Sequence, residues 1–117
     1  MRMIIAGTRT LVVSSIFLYE VFKTFSLCPT EIVSGHSGEV DLAGERYAQL
    51  LNLPIETFPA KWASHGKAAG PIRNKEMADY ADVLVLIWDG ESRGSLNMKT
   101  QMQNLKKPIY EVVIKKV

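Results

Sequence analysis

Six consecutive apolar residues, Val83-Leu84-Val85-Leu86-Ile87-Trp88, lie between Asp82 and the Asp89-Gly90 pair. A run without a polar break does not alternate between core and water. It reads as a strand covered on both faces. Two-sided burial calls for helices above and below a mostly parallel sheet.

The rest of the chain supplies such a sheet. Residues 3–6 form a short apolar run ending at Gly7, the first strand. Ser14 or Ser15 caps a helix over 15–27, which stops at Cys28-Pro29. Residues 31–33 form the second strand, broken by Ser34-Gly35. Asp41 caps a helix over 41–51, with Glu45 near its first turn. Residues 55–58, bracketed by Pro54 and Pro59, form the third strand. A polar loop over 61–70 follows. Gly70-Pro71 then opens a helix, since proline at the first helical position loses no needed donor, and Arg73 and Asn74 fall in its first turn. The fourth strand runs over 82–88. Ser95 caps a last helix to about 105, and 108–114 forms the fifth strand. Five strands alternating with four helices predict a three-layer α/β sandwich, a mostly parallel five-stranded sheet with helices on both faces. The 117 residues suffice for one domain, 1–117, with one real core.

Composition removes several function classes. Net charge is +2, without the basic stripe of a DNA binder, and Lys115 and Lys116 are too few to make one. Nucleic acid is therefore not the expected partner. The single Cys28 cannot form a disulfide within the chain, which fits a reducing cytoplasm. Two histidines and one cysteine, widely spaced, do not make a metal site. No segment reaches the roughly 18–20 apolar residues of a membrane span, and 3–6 is too short for a signal peptide.

In a sheet of this kind ligands bind outside the carboxyl ends of the strands. The loops there share one chemistry. They carry Gly7-Thr8-Arg9, the Ser34–Asp41 stretch with Gly35, His36, Ser37 and Gly38, the segment from Trp62 to Asn74, and Asp89 to Ser95. The loops at the other end are shorter and plainer. Glycines let backbone N–H groups approach a phosphate. Helix N-termini present unpaired N–H groups and a positive dipole end. Arg9, Arg73 and Arg93 add charge, Asn74, Ser92 and Ser95 add hydrogen bonds, and Trp62 offers a face for a base. Ser95 serves equally as a helix cap, as does Asp41. His36 and His65 are the candidates for near-neutral proton transfer. Glu39, Asp41 and Glu45 suit a ribose hydroxyl or a base role. Trp88 is core or pocket floor. The loops contain neither a dinucleotide fingerprint nor a P-loop.

Taken in order, Gly-Thr-Arg, Ser-Gly-x-x-Gly-x-Asp, Phe-Pro-Ala-x-Trp, Gly-Lys-Ala-Ala-Gly-Pro-Ile-Arg-Asn and Asp-Gly-x-Ser-Arg-Gly-Ser resemble the SLOG superfamily. More narrowly they resemble the YspA/YpsA-related (DUF2493-type) domains of bacteria and phages. The likeness spans nearly the whole chain, and 66–74 is its most specific part. It implies a Rossmann-like fold that binds a nucleotide or nucleotide-derived ligand, sensing or sequestering it in the cytoplasm of a bacterium or infected host. Gly7, Thr8, Arg9, Ser34, Gly35, Gly38, Asp41, Arg73, Asn74, Ser92, Arg93, Gly94 and Ser95 fall on the implied ligand rim. No cofactor is implied.

Two positions depart from the family. His36 stands where a glycine is usual. Met98 stands where the phosphoribohydrolase branch carries a glutamate that assists N-glycosidic cleavage. Turnover of that kind would have to draw on Glu39, Asp41, Glu45 or Glu91, and the catalytic residues are unknown. The aromatic stretch over 15–27, with Ile16, Phe17, Tyr19 and Phe22, suggests a homodimer contact or another protein-interaction surface.

Overall fold

The computed structural model describes residues 1–115; Lys116 lies outside the described residues. The elements follow in the order β1 (Arg2–Gly7), α1 (Ser15–Thr24), β2 (Glu31–Ser34), α2 (Glu39–Leu50) and β3 (Ile55–Thr57). Then come a short α3 (Trp62–His65), a 3-10 turn (Gly66–Ala68), α4 (Ala69–Tyr80), β4 (Val83–Trp88), α5 (Arg93–Asn104) and β5 (Ile109–Val113). All strand pairs are parallel, in the spatial order β3-β2-β1-β4-β5. This is the Rossmann-like α/β sheet expected from the sequence. Strand order reverses between β1 and β4, which opens a crevice at their carboxyl ends.

The period-two rule for strands divides the core cleanly. Met3, Ile5, Ile32, Val83, Val85 and Ile87 face one cluster, closed by Leu18 and Phe22 of α1 and by Val40, Ala43 and Tyr47 of α2. Ile4, Ala6, Val33, Leu84, Leu86 and Trp88 face the other, closed by Met77 and Ala78 of α4 and by Met98 and Met102 of α5. Every residue of β4 is buried, as its unbroken apolar run requires. Trp88 is core, and its indole N–H donates to Glu111 Oε2 at 2.7 Å. No helix among the described residues is long and apolar enough to cross a membrane.

Helix ends differ from the sequence reading. Three helices close in the same way, with a non-glycine residue in the left-handed region: Ser26 (φ 56°) after α1, Asn52 (φ 55°) after α2 and Lys106 (φ 55°) after α5. In each, the next residue donates back five positions: Leu27 to Phe22 O, Leu53 to Ala48 O, Lys107 to Met102 O. This satisfies the last carbonyls as a glycine-ended motif does. Without a glycine to mark them, these stops leave little trace in sequence, and α1 ends at Thr24 rather than at 27.

The N-termini also shift. The sequence points to Asp41 as the cap of α2, but the helix starts at Glu39 and is preceded by Gly38. The sequence points to Ser95 as the cap of α5, but it lies inside the helix, which Ser92 precedes. Pro71 is the third residue of α4, not its first. The turns over 62–68 run helically into α4 and start it early. Proline is still harmless there, because the first four N–H groups of a helix have no internal partner.

The ends of α4 and α5 are tied by Lys107. Its ammonium donates to Ala78 O (2.7 Å), Asp79 O (3.2 Å) and Ala81 O (2.7 Å), where the helix dipole favours a cation. Lys107→Met is expected to lower stability by about 1–3 kcal/mol, read as a fall in the urea midpoint at unchanged slope. An unshifted midpoint would show that water replaces the ammonium without loss.

Candidate functional site

A cavity of about 300 Å³ opens at the crevice beyond β1 and β4. Ala6 and Gly7 line it from the end of β1. The loop and helix after β2 contribute Ser37 and Asp41, with Arg9 alongside. Trp62 of α3 stands at one side. The α4 face contributes Gly70, Pro71, Arg73, Asn74 and Met77, and α5 contributes Ser92, Arg93, Gly94, Ser95, Asn97 and Met98.

Ten residues expected on the rim therefore meet around one space: Gly7, Arg9, Asp41, Trp62, Arg73, Asn74, Ser92, Arg93, Gly94 and Ser95. Thr8, Ser34, Gly35 and Gly38 stand behind the wall. Thr8 Oγ1 accepts from the Asp89 N–H at 3.0 Å and ties the loops after β1 and β4 together. Ser34 is fully buried and its hydroxyl donates to Glu45 Oε2 at 2.8 Å. Gly38 packs on the backbone of Arg9.

Arg73 is the most constrained of the group. It lies in the second turn of α4, not the first, and is 9% exposed. Its Nε–H donates to Asn74 Oδ1 at 3.0 Å. Its Nη1 donates to Gly35 O at 2.7 Å and to Phe58 O at 3.3 Å. Nη2 has no protein partner among the described residues. No buried side-chain nitrogen or oxygen there goes unsatisfied, so Nη2 opens to the cavity that Arg73 lines. A guanidinium has five N–H donors. Three fix its plane and two remain for an occupant. Burial pulls its pKa down, and the nearby Asp41 carboxylate opposes that shift.

Both donors of Asn74 are committed to the protein. Its Nδ2 donates to Gly94 O (3.3 Å) and Asn97 Oδ1 (3.0 Å), while Oδ1 accepts from Arg73. It fixes the start of α5 relative to α4. On the loop before α5, Asp89 Oδ1 accepts from the N–H groups of Glu91 and Ser92 at 2.9 Å each. Those bonds hold the Asp89 carboxyl below its usual range. The N–H groups of Arg93, Gly94 and Ser95 stay without a protein partner among the described residues. Three unpaired amides at the positive end of a 12-residue helix suit an anion.

Asp41 is the one carboxylate on the cavity wall among the described residues. It is buried, and its Oδ2 accepts from both the N–H and the hydroxyl of Ser37, each at 3.0 Å. Burial raises its pKa, while the two Ser37 bonds and Arg73 hold the rise back. Between the ordinary 3.8 and the raised folded value, the folded chain keeps a proton that the unfolded chain has lost. The stability from this group is full below 3.8 and is lost as pH rises through the folded value. Asp41→Asn keeps an acceptor for Ser37. It is expected to flatten that fall and to raise the melting temperature at neutral pH. Paired melting curves across the pH range isolate the effect, because His36 titrates in both proteins. A steeper fall in the variant would contradict it.

Neither histidine lines the cavity. His65 is exposed on α3. His36 points away, its Nδ1 2.7 Å from Glu45 Oε2, which raises its pKa. It adopts φ 53°, the left-handed region that favours glycine. Glu39, Glu45 and Glu91 are also off the wall. Glu45 instead knots the loop after β2, since Ser34 and His36 both converge on its Oε2.

Ser37, Gly70 and Pro71 belong to the loops that the sequence places on the rim, and Met98 to the position that the resemblance gives the hydrolase glutamate; Ala6, Met77 and Asn97 are wall residues that the sequence does not single out. One signal was available: Gly70, Arg73, Asn74 and Met77 follow the i, i+3, i+4, i+7 spacing of one helix face. Met98 occupies the same face of α5 as Gly94, one turn on, and is 1% exposed. No protein-family model, curated protein or solved structure matches this chain.

Proposed function

We propose that the chain binds a nucleotide or nucleotide-derived ligand at this cavity and acts by sensing or sequestering it, in the cytoplasm of a bacterium or phage-infected host. The observation that carries this reading is the half-committed guanidinium of Arg73. It is buried, held by three protein hydrogen bonds, and left with Nη2 on the cavity. The open amides of Arg93, Gly94 and Ser95 lie on the same wall. Together they offer a phosphate both charge and directed donors. Trp62, 53% exposed at the cavity edge, offers a face on which a base can stack. The resemblance to SLOG domains of the YspA/YpsA type points to the same ligand class.

Arg93→Ala tests the reading with little risk to the fold, because Arg93 is exposed at the first position of α5. Wild-type protein is expected to gain thermal stability from nucleoside monophosphates, NAD or ADP-ribose, and the variant to lose at least about tenfold in affinity. Equal ligand-induced shifts in both proteins would sink the assignment of Arg93. Native mass spectrometry of freshly purified protein reports any retained nucleotide.

One observation favours a second reading, cleavage of the N-glycosidic bond. Asp41 is a buried carboxylate on the wall, raised in pKa as a proton donor would be. Met98, where the hydrolase branch carries glutamate, cannot take part. Release of free base from the same panel of nucleotides distinguishes turnover from binding. A homodimer through α1 is a separate proposal, supported by the exposure of Val12 (72%), Ile16 (75%) and Tyr19 (52%). Elution as a monomer at micromolar concentration would reject it.

A further inference from the structure

The glycines of this chain fall into two groups. At Gly7, Gly35, Gly38 and Gly44 an added Cβ would come closer than 3.0 Å to a neighbouring atom, and Gly66 (φ 55°) and Gly90 (φ 85°) are left-handed. The fold itself requires these six. Gly70 and Gly94 differ. A Cβ at Gly70 would meet only the Trp62 ring edge, at 3.5 Å, and one at Gly94 would meet nothing within 4 Å. Neither has a positive φ. Both sit in helices, where alanine is the better helix former. Both line the cavity.

Resting on the nucleotide reading, we infer that Gly70 and Gly94 determine which ligands the cavity accepts, by leaving room for two chemically different ends of one molecule. Gly94 lies in the first turn of α5 between Arg93 and Ser95 and lines the same cavity as Arg73. A phosphate oxygen bonding to the open amides comes close to its Cα, where a methyl group would stand in the way. Gly70 lies beside Trp62, whose ring edge bounds the space above the α4 turn. A planar base stacked on that indole extends over Gly70. The fold leaves both positions open, so the space serves the occupant. A ligand carrying both an aromatic ring and a phosphate fills the two gaps together; a sugar phosphate fills one.

The test uses the full chain as wild type, Gly70→Ala and Gly94→Ala. The probes are adenosine and guanosine monophosphates, NAD, ADP-ribose, ribose 5-phosphate and inorganic phosphate, titrated by calorimetry. Both variants are expected to melt at or above the wild-type temperature without ligand. Gly94→Ala is expected to weaken every phosphate-bearing probe by about tenfold or more, whereas Gly70→Ala weakens the base-bearing probes by about tenfold and leaves ribose 5-phosphate within about twofold. A lower melting temperature in either variant overturns the premise that the fold does not need that glycine. Wild-type affinity in both variants overturns the inference while the nucleotide reading stands. An effect in one variant alone removes the other glycine from the assignment. If the wild type binds none of the probes, the nucleotide reading falls, and this inference with it.

Discussion

Replacing Gly7 by alanine is expected to leave no stably folded protein. Gly7 is paired with Ile87 at the centre of the sheet, and an added Cβ would lie 1.7 Å from Ile87 O and 2.8 Å from its carbonyl carbon. Both atoms are backbone, so no rotamer change relieves the overlap. Relief would require β1 to move off β4. That would break the Thr8 N–H bond to Ile87 O and part the central strands that feed both core clusters. The cost is expected to be about 4 kcal/mol or more, a large share of the roughly 5–15 kcal/mol by which such domains are stable. Circular dichroism and urea titration give the measurement. A cooperative transition within about 1 kcal/mol of wild type would show that the strands separate at little cost.

Arg73→Met is expected to lose both stability and ligand binding. The substitution keeps volume but removes the donors to Gly35 O, Phe58 O and Asn74 Oδ1. It leaves Asp41 buried without the nearby positive charge that offsets its desolvation. Unpaired buried acceptors cost about 1–3 kcal/mol each, so a loss of about 3 kcal/mol and a melting temperature lower by roughly 10 °C are expected. Arg73→Lys retains charge but not the fork, and cannot serve three acceptors and an occupant at once. It is expected to recover part of the stability and little of the binding. Full recovery of both by lysine would mean that charge alone matters. The contrast with Arg93 follows from burial: one arginine builds the wall, the other only stands on it.

The strands were the most legible elements. A strand buried on both faces must be apolar throughout, and β4 is. The rim was legible because glycine, serine and arginine gathered on one set of loops, and ten residues expected there, seven of them of these three types, line the cavity. The helix ends were not, since Ser26, Asn52 and Lys106 take a backbone conformation that sequence assigns to glycine. Nor was the division of labour on the rim. Thr8, Ser34 and Gly38 have the same chemistry as Ser92 and Gly94, yet they brace loops behind the wall.

The layer order is already written in the local pattern of apolar residues. Hydrophobic periodicity is local, and it marks which segments are strands and how they alternate with helices. The role of each polar side chain at the crevice emerges only when the chain packs. Arg73, Asp41, Asn74 and Glu45 differ in function because of partners that lie up to 38 residues away, as with Arg73 and Gly35. Hydrogen bonds act over about 3 Å. Their pairing is therefore set by how β2, α4 and α5 converge at the carboxyl ends of the strands, a convergence no local pattern encodes.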